Sequence, residues 1–564
     1  MKQLRWQILV VLVTLAIVAV LLFSTQSPAI GDVIQSQPEQ GGVYTEGLVG
    51  SLGRLNPLLD WNNPADRDVN RLLFSGLIRF DQRGLPQADL AESWGSTPDG
   101  TVYNFAIRPN AVWHDGTPVT SDDVIFTIER MKSAGSLYPQ DIKDLWNKIE
   151  ITKLSDKYLK FTLPEPYVPF LDYLTFGIVP KHLLDAVAAD QMTSAEFNIK
   201  PVGTGPYKFD RLLVENGQII GVVLTLFEKY YRAPAFIEQV VFRYYPTSAA
   251  ALSAYEQGDV FSVSQITPDV LNKALEETNL NIYTSRLPQM GFVLFNLNNP
   301  ETAFLQNINV RRALMLGLNR TYIINTFMHG QAILADSPVL PNSWAHYDGI
   351  EKFDYDSDAA IALLKKEGFV IPAGGGAVRA KEGAPLAFSM VHPDDALHTK
   401  IAQTIQSEWA AIGVRVDLQP MPYDQLVLNS LASRTYQVAL VDLNLSRTPD
   451  PDPYPFWHQA EATGGQNYSQ WNNRAASEYL EQARVTADYT LRAKLYRNFQ
   501  IVFAKELPAL PLYVPVYSYG VDSQVQGVQM GALYEPSDRF ATFANWYLLT
   551  RRALEQPLVT TSTP

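Results

Sequence analysis

Between Ile401 and Leu443 the sequence changes its period three times. Apolar residues at 401, 405, 409 and 412 share one helical face, Gly413 supplies a stop, and Val414, Val416 and Leu418 alternate as a strand. A second helical stretch, residues 423–433, leads to the nearly continuous apolar run 436–443 (YQVALVDL), which reads as a strand buried on both faces. Strand, helix, strand in that order predicts a parallel or mixed sheet covered by helices, so the chain is read as an α/β protein. Further helices are expected at 474–486 and 489–505, followed by a Pro-punctuated strand at 510–519. Nearer the N-terminus, residues 102–107 (VYNFAI) alternate with period two and Asp115-Gly116 marks a turn. Thr120 then opens a capping box with Asp123, ahead of Val124, Ile125, Ile128 and Met131 at helical spacing.

At 564 residues the chain exceeds a single core; the usual unit of about 100–200 residues predicts three or four. Lys2 and Arg5 precede the apolar stretch 6–23 (WQILVVLVTLAIVAVLLF). Its eighteen residues, at 1.5 Å each, cover about 27 Å, close to a bilayer core. The positive flank keeps the short side in the cytoplasm and sends the rest outward. Two fates stand: a retained anchor, or cleavage near Ser27-Pro28-Ala29. Residues 24–42 read as a linker and 553–564 as a disordered tail.

Several function classes fall away. The net charge of -13, with no basic run beyond pairs such as Arg311-Arg312, Lys365-Lys366 and Arg551-Arg552, argues against a nucleic-acid partner. Without cysteine there is no disulfide, zinc thiolate or thiol nucleophile. Phosphate-loop, GxSxG and HExxH motifs are missing. His392 and His398 stand six apart in a polar stretch, His114 in its HDG turn reads as structural, and Asp122-Asp123 serve helix capping. The expectation is therefore a binding protein, with no metal and no cofactor.

A series of segments then gains meaning from its order. They run from residues 90–131 (LAESWGSTPDGTVYNFAIRPNAVWHDGTPVTSDDVIFTIERM) through VPKH at 179–182 and PVGTGPYKF at 201–209. FVLFNLN at 292–298, VRRALMLGLNR at 310–320, ALLKKEGF at 362–369, the acidic loop at 449–453 and ELPALPLY at 506–513 follow. Together they resemble the family 5 extracellular solute-binding proteins, the peptide-, dipeptide- and nickel-binding components of ABC importers. The resemblance implies a two-lobed, class II fold of the periplasmic-binding-protein type with an extra family-specific domain. Lobe I would comprise 43–74, 201–290 and 506–552, the extra domain 75–200, and lobe II 291–505. Many members begin with a lipobox Cys; this chain has none, so the apolar N-terminal segment would anchor it or it would be released.

The same resemblance implies a cargo, most simply a short peptide, held between the lobes and passed to membrane permease subunits by a monomeric receptor. A sensor or chaperone-like role, or an oligosaccharide or nickel-chelate cargo, is the alternative. Peptide-binding relatives pair the peptide's α-amino group with a carboxylate in the loop that here reads SRTPDPDPYPFW. Asp450 matches best, with Asp452 open because Asp-Pro is duplicated; both also fit ordinary loop punctuation. Tyr454 and Trp457 line the cleft or belong to the core, and Arg447 meets a ligand carboxylate or a surface acid. Tyr44, Asn56 and Tyr517 fall where lobe I would face the cleft.

Overall fold

The computed structural model describes residues 34–81, 84–133, 138–445 and 449–554. The expected anchor at 1–23 lies outside them, and among the described residues no helix is long and apolar enough to cross a membrane.

Strand Val102–Ile107 forms where its alternation predicts it. It lies in a four-stranded antiparallel sheet ordered Ala91–Ser96, Val102–Ile107, Tyr158–Thr162, Glu150–Lys153. Helix Ser121–Lys132 starts at the expected capping box, with the Thr120 N–H donating to the Asp123 carboxylate at 2.8 Å.

The main sheet has twelve strands among the described residues and is mixed, as the strand–helix rhythm predicts. One end carries Tyr207–Glu215, Gln218–Leu226, Gln239–Tyr245, Val43–Val49 and Ser262–Val263. The other carries Arg415–Met421, Ala387–Pro393, Val438–Asn444 and Gln289–Phe295. A single 14-residue strand, Ala509–Asp522, joins the two. Its first residues pair with Gln289–Phe295, and its last seven with Leu280–Arg286. The chain crosses between the halves there and again at Leu287-Pro288, which link Leu280–Arg286 to Gln289–Phe295.

Side chains alternate across this sheet, so neighbours enter different cores. Val293, Phe295, Val438 and Leu440 pack on one face of the second half; Phe292, Leu294, Ala439 and Val441 pack on the other. In the first half, by contrast, the four-stranded unit shares one core with the main sheet: Trp113, Phe161 and Phe170 belong to the same cluster as Leu72, Phe74 and Tyr207. The PVGTGPYKF turn seals that union. A Cβ at Gly203 or Gly205 would collide with the carbonyls of Leu73 and Leu72, so only glycine permits the close approach.

Two readings of local structure need correction. The segment expected as a linker contains strand Ile34–Glu39, paired antiparallel with Leu549–Leu554; the pairing also takes in the first two residues of the expected tail. A polar Gln/Ser stretch carries no alternation by which sequence could announce the strand. The helix expected at 423–433 is a short α-turn, Tyr423–Gln425, that widens into a π-type turn, Leu426–Leu431.

Candidate functional site

The two halves meet where the loop before the short helix Tyr454–Trp457 touches the 3-10 segment Val168–Leu174. The Asp450 N–H donates to Asp172 Oδ2 at 2.8 Å. The Asp450 carboxylate is turned inward and 5% exposed; it accepts from Tyr496 Oη at 3.2 Å, from the Asp452 N–H at 3.1 Å, and from Arg492. Burial pushes the Asp450 carboxyl up, and the Arg492 guanidinium pulls it back. Burial acts to lower Arg492, and Asp450 outweighs that, so the guanidinium stays charged. A dry carboxylate needs such a partner, because an isolated ion out of water is very costly.

Asp452 has its own arginine. Arg484 forks onto it through Nε at 2.9 Å and Nη2 at 2.7 Å. The guanidinium carbon lies 3.6 Å from the centre of the Tyr454 ring and 5.6 Å from that of Tyr167, across the junction. Tyr454 is half-buried, stacked between Arg484 and His458, whose ring centre is 3.9 Å away.

Beside this contact lies a cavity of about 90 Å³ whose wall mixes charges of both signs: Arg71, Arg79, Asp81, Glu535 and Asp538, with Tyr534 and Pro449. Its charged wall comes from the first half of the molecule, and the second half closes it with Pro449. Burial raises the Asp538 carboxyl, and Arg71, 3.3 Å away, opposes the rise. Such a space holds several waters.

The remaining expected residues are placed as follows. Tyr44 is fully buried, its hydroxyl bonded to Glu46, Ser262 and Tyr519 at 2.9, 2.6 and 2.6 Å. That knot also holds Arg539, which forks onto Asp68 and reaches Glu46. Asn56 is fully buried against Asn198 at 2.9 Å, and the Tyr517 hydroxyl donates to the Ser264 carbonyl. Trp457 is 2% exposed and packs on Phe503 and Phe292. These four lie in the interior: Tyr44 and Tyr517 on middle strands of the sheet, Asn56 in the loop after Val43–Val49, and Trp457 at the end of the short helix Tyr454–Trp457. Arg447 lies outside the described residues.

Sequence reading did not find Arg484, Arg492, Asp172, Arg286, Tyr534 or the acids Glu535 and Asp538. A signal existed for some. Arg492 sits on the apolar face of helix Tyr489–Glu506, in register with Leu495, Tyr496 and Phe499, and a cation there demands a buried acid. Glu535 and Asp538 have capping-box spacing, and the structure forms that box.

Two α/β halves tied by crossing strands around a charged junction define a receptor of the periplasmic-binding-protein type. Residues 86–467 match the bacterial extracellular solute-binding proteins, family 5, and the chain belongs to that family. It is 26% identical to the oligopeptide-binding protein AppA of Bacillus subtilis, over 91% of this chain and 92% of AppA. It is 23% identical to the dipeptide-binding protein of Escherichia coli, over 78% and 82% of the two chains. The structure of Bacillus subtilis AppA in complex with a nonapeptide superposes with a TM-score of 0.67 at 24% identity, covering 91% of this chain and all of that one.

Proposed function

We propose that this protein is the extracytoplasmic receptor of an ABC importer, taking a short peptide between lobe I with its extra domain and lobe II, and handing it unaltered to permease subunits. The observation that carries the reading is the junction itself: two separately cored halves, joined by one strand, meet where the Asp450 N–H binds Asp172 and Arg484 faces Tyr167, beside a small cavity. The names of AppA and the dipeptide-binding protein support a peptide as cargo. The halves act as bodies that part and close, with 43–74, 201–290 and 506–552 together with the extra domain 75–200 as one, and 291–505 as the other. A ligand that prefers the closed arrangement shifts the population toward it. Micromolar affinity corresponds to about 8 kcal/mol. The protein works as a monomer at the outer face of the membrane, held by residues 1–23 or released from them.

Native mass spectrometry of the purified chain tests this directly. A ladder of short-peptide masses is expected; a co-purified sugar or metal chelate overturns the peptide assignment. Within the site, a cargo ammonium competes with Arg492 for Asp450. Asp450→Asn therefore weakens peptides with free N-termini more than N-acetylated ones, read by calorimetry. Equal losses would leave Asp450 as the partner of Arg492 alone.

A further inference from the structure

Six arginines among the described residues are buried: Arg286, Arg311, Arg320, Arg379, Arg492 and Arg539. Five have bonded nitrogens. Arg492 and Arg539 meet carboxylates, Arg320 meets Asp336 and three carbonyls, and Arg311 and Arg379 are capped by carbonyls alone. Arg286 differs. It is 3% exposed, yet none of Nε, Nη1 and Nη2 makes a well-formed hydrogen bond, and the Tyr534 hydroxyl is the one polar group that interacts with it. Burial lowers its pKa, and the Tyr534 phenol only partly opposes that.

Its position gives the unpaired fork meaning. Arg286 ends strand Leu280–Arg286, where the chain crosses between the halves. Its guanidinium carbon lies 5.4 Å from the centre of the Tyr534 ring, and Tyr534 is a wall of the junction cavity. The preceding residue ties in the same wall, since Ser285 Oγ donates to the Gly531 carbonyl at 2.7 Å. Tyr534 also stands across from lobe II: a Cβ at Gly84 would lie 2.8 Å from Pro449 and 2.9 Å from the Tyr534 hydroxyl. A dry, planar fork of donors behind a cavity wall is costly when unpaired and complementary to a planar oxyanion.

We propose that Arg286 is the receptor for a carboxylate of the cargo, reached when the halves separate and Tyr534 yields. The proposal rests on the peptide reading above and names a determinant of specificity for it. The carboxylate comes either from the peptide's C-terminus or from an acidic side chain.

The test compares the full chain with R286Q and R286K by calorimetry and thermal melting. Three ligands are used: a short peptide of neutral side chains, its C-terminal amide, and the amide with one Glu. Wild type is expected to lose about tenfold or more on amidation; recovery with the Glu peptide would assign the side chain as the source. R286Q binds all three alike, R286K keeps part of the preference, and ligand-free R286Q melts no lower than wild type because an unpaired buried charge is gone. Retained preference in R286Q, or a ligand-free melting point well below wild type in both variants, overturns the proposal. If wild type binds none of the peptides, the peptide reading falls and citrate decides Arg286. A citrate-induced melting shift lost in R286Q upholds it, whereas no difference, or a response to inorganic phosphate alone, overturns it.

Discussion

His114 illustrates how one side chain couples sequence to pH. Its Nδ1 accepts the Gly203 N–H at 3.0 Å while its Nε2 donates to the Gly205 carbonyl at 3.1 Å, an arrangement that needs the neutral ring. Burial pushes it down to about 4. A histidine depressed on folding contributes stability that is whole above the unfolded value near 6.5 and is lost as pH falls toward 4. Between pH 7 and pH 4 wild type should therefore lose about 3 kcal/mol more than His114→Asn, measured by urea unfolding. Parallel losses would remove His114 from this role. The HDG turn was legible as structural; its partner, the glycine turn 89 residues away, was not, since sequence separation hides such contacts.

At the scale of elements, periodicity carried most of the information. The alternation at 102–107, the capping box at Thr120 and the helix stopped by Gly413 all formed as read, because each is set by local rules of spacing and hydrogen bonding. What local rules miss is which elements face each other. Helices Arg474–Val485 and Tyr489–Glu506 were anticipated, yet their inward arginines were not, and those arginines fill the acidic loop from within. Removing one partner leaves a bare ion in the interior. Arg492→Met should cost about 3–5 kcal/mol in chemical denaturation. Adding Asp450→Asn to it should restore much of the loss, since both charges then go together. No recovery in the double variant would mean that Arg492 acts by packing on Trp344 and Tyr489 rather than by charge.

At the scale of the whole molecule, the aromatic residues of 75–200 pack into one core with the first half of the main sheet. The sequence reading sets residues 75–200 apart as an extra domain, and on the proposed motion that domain travels with lobe I. Spacing along the chain reports where an insertion begins and ends, not whose apolar surface it covers. Amide hydrogen exchange should thus show residues 91–162 and the strands of lobe I opening with one free energy, and lobe II with another. Separate protection for the four-stranded unit would refute the shared core. The strand Ala509–Asp522 adds a mechanical corollary. Because one unbroken backbone runs through both bodies, swinging them apart twists a ribbon without unzipping it. A pivot of that kind would store the twist elastically and favour the curvature its own ladder prefers.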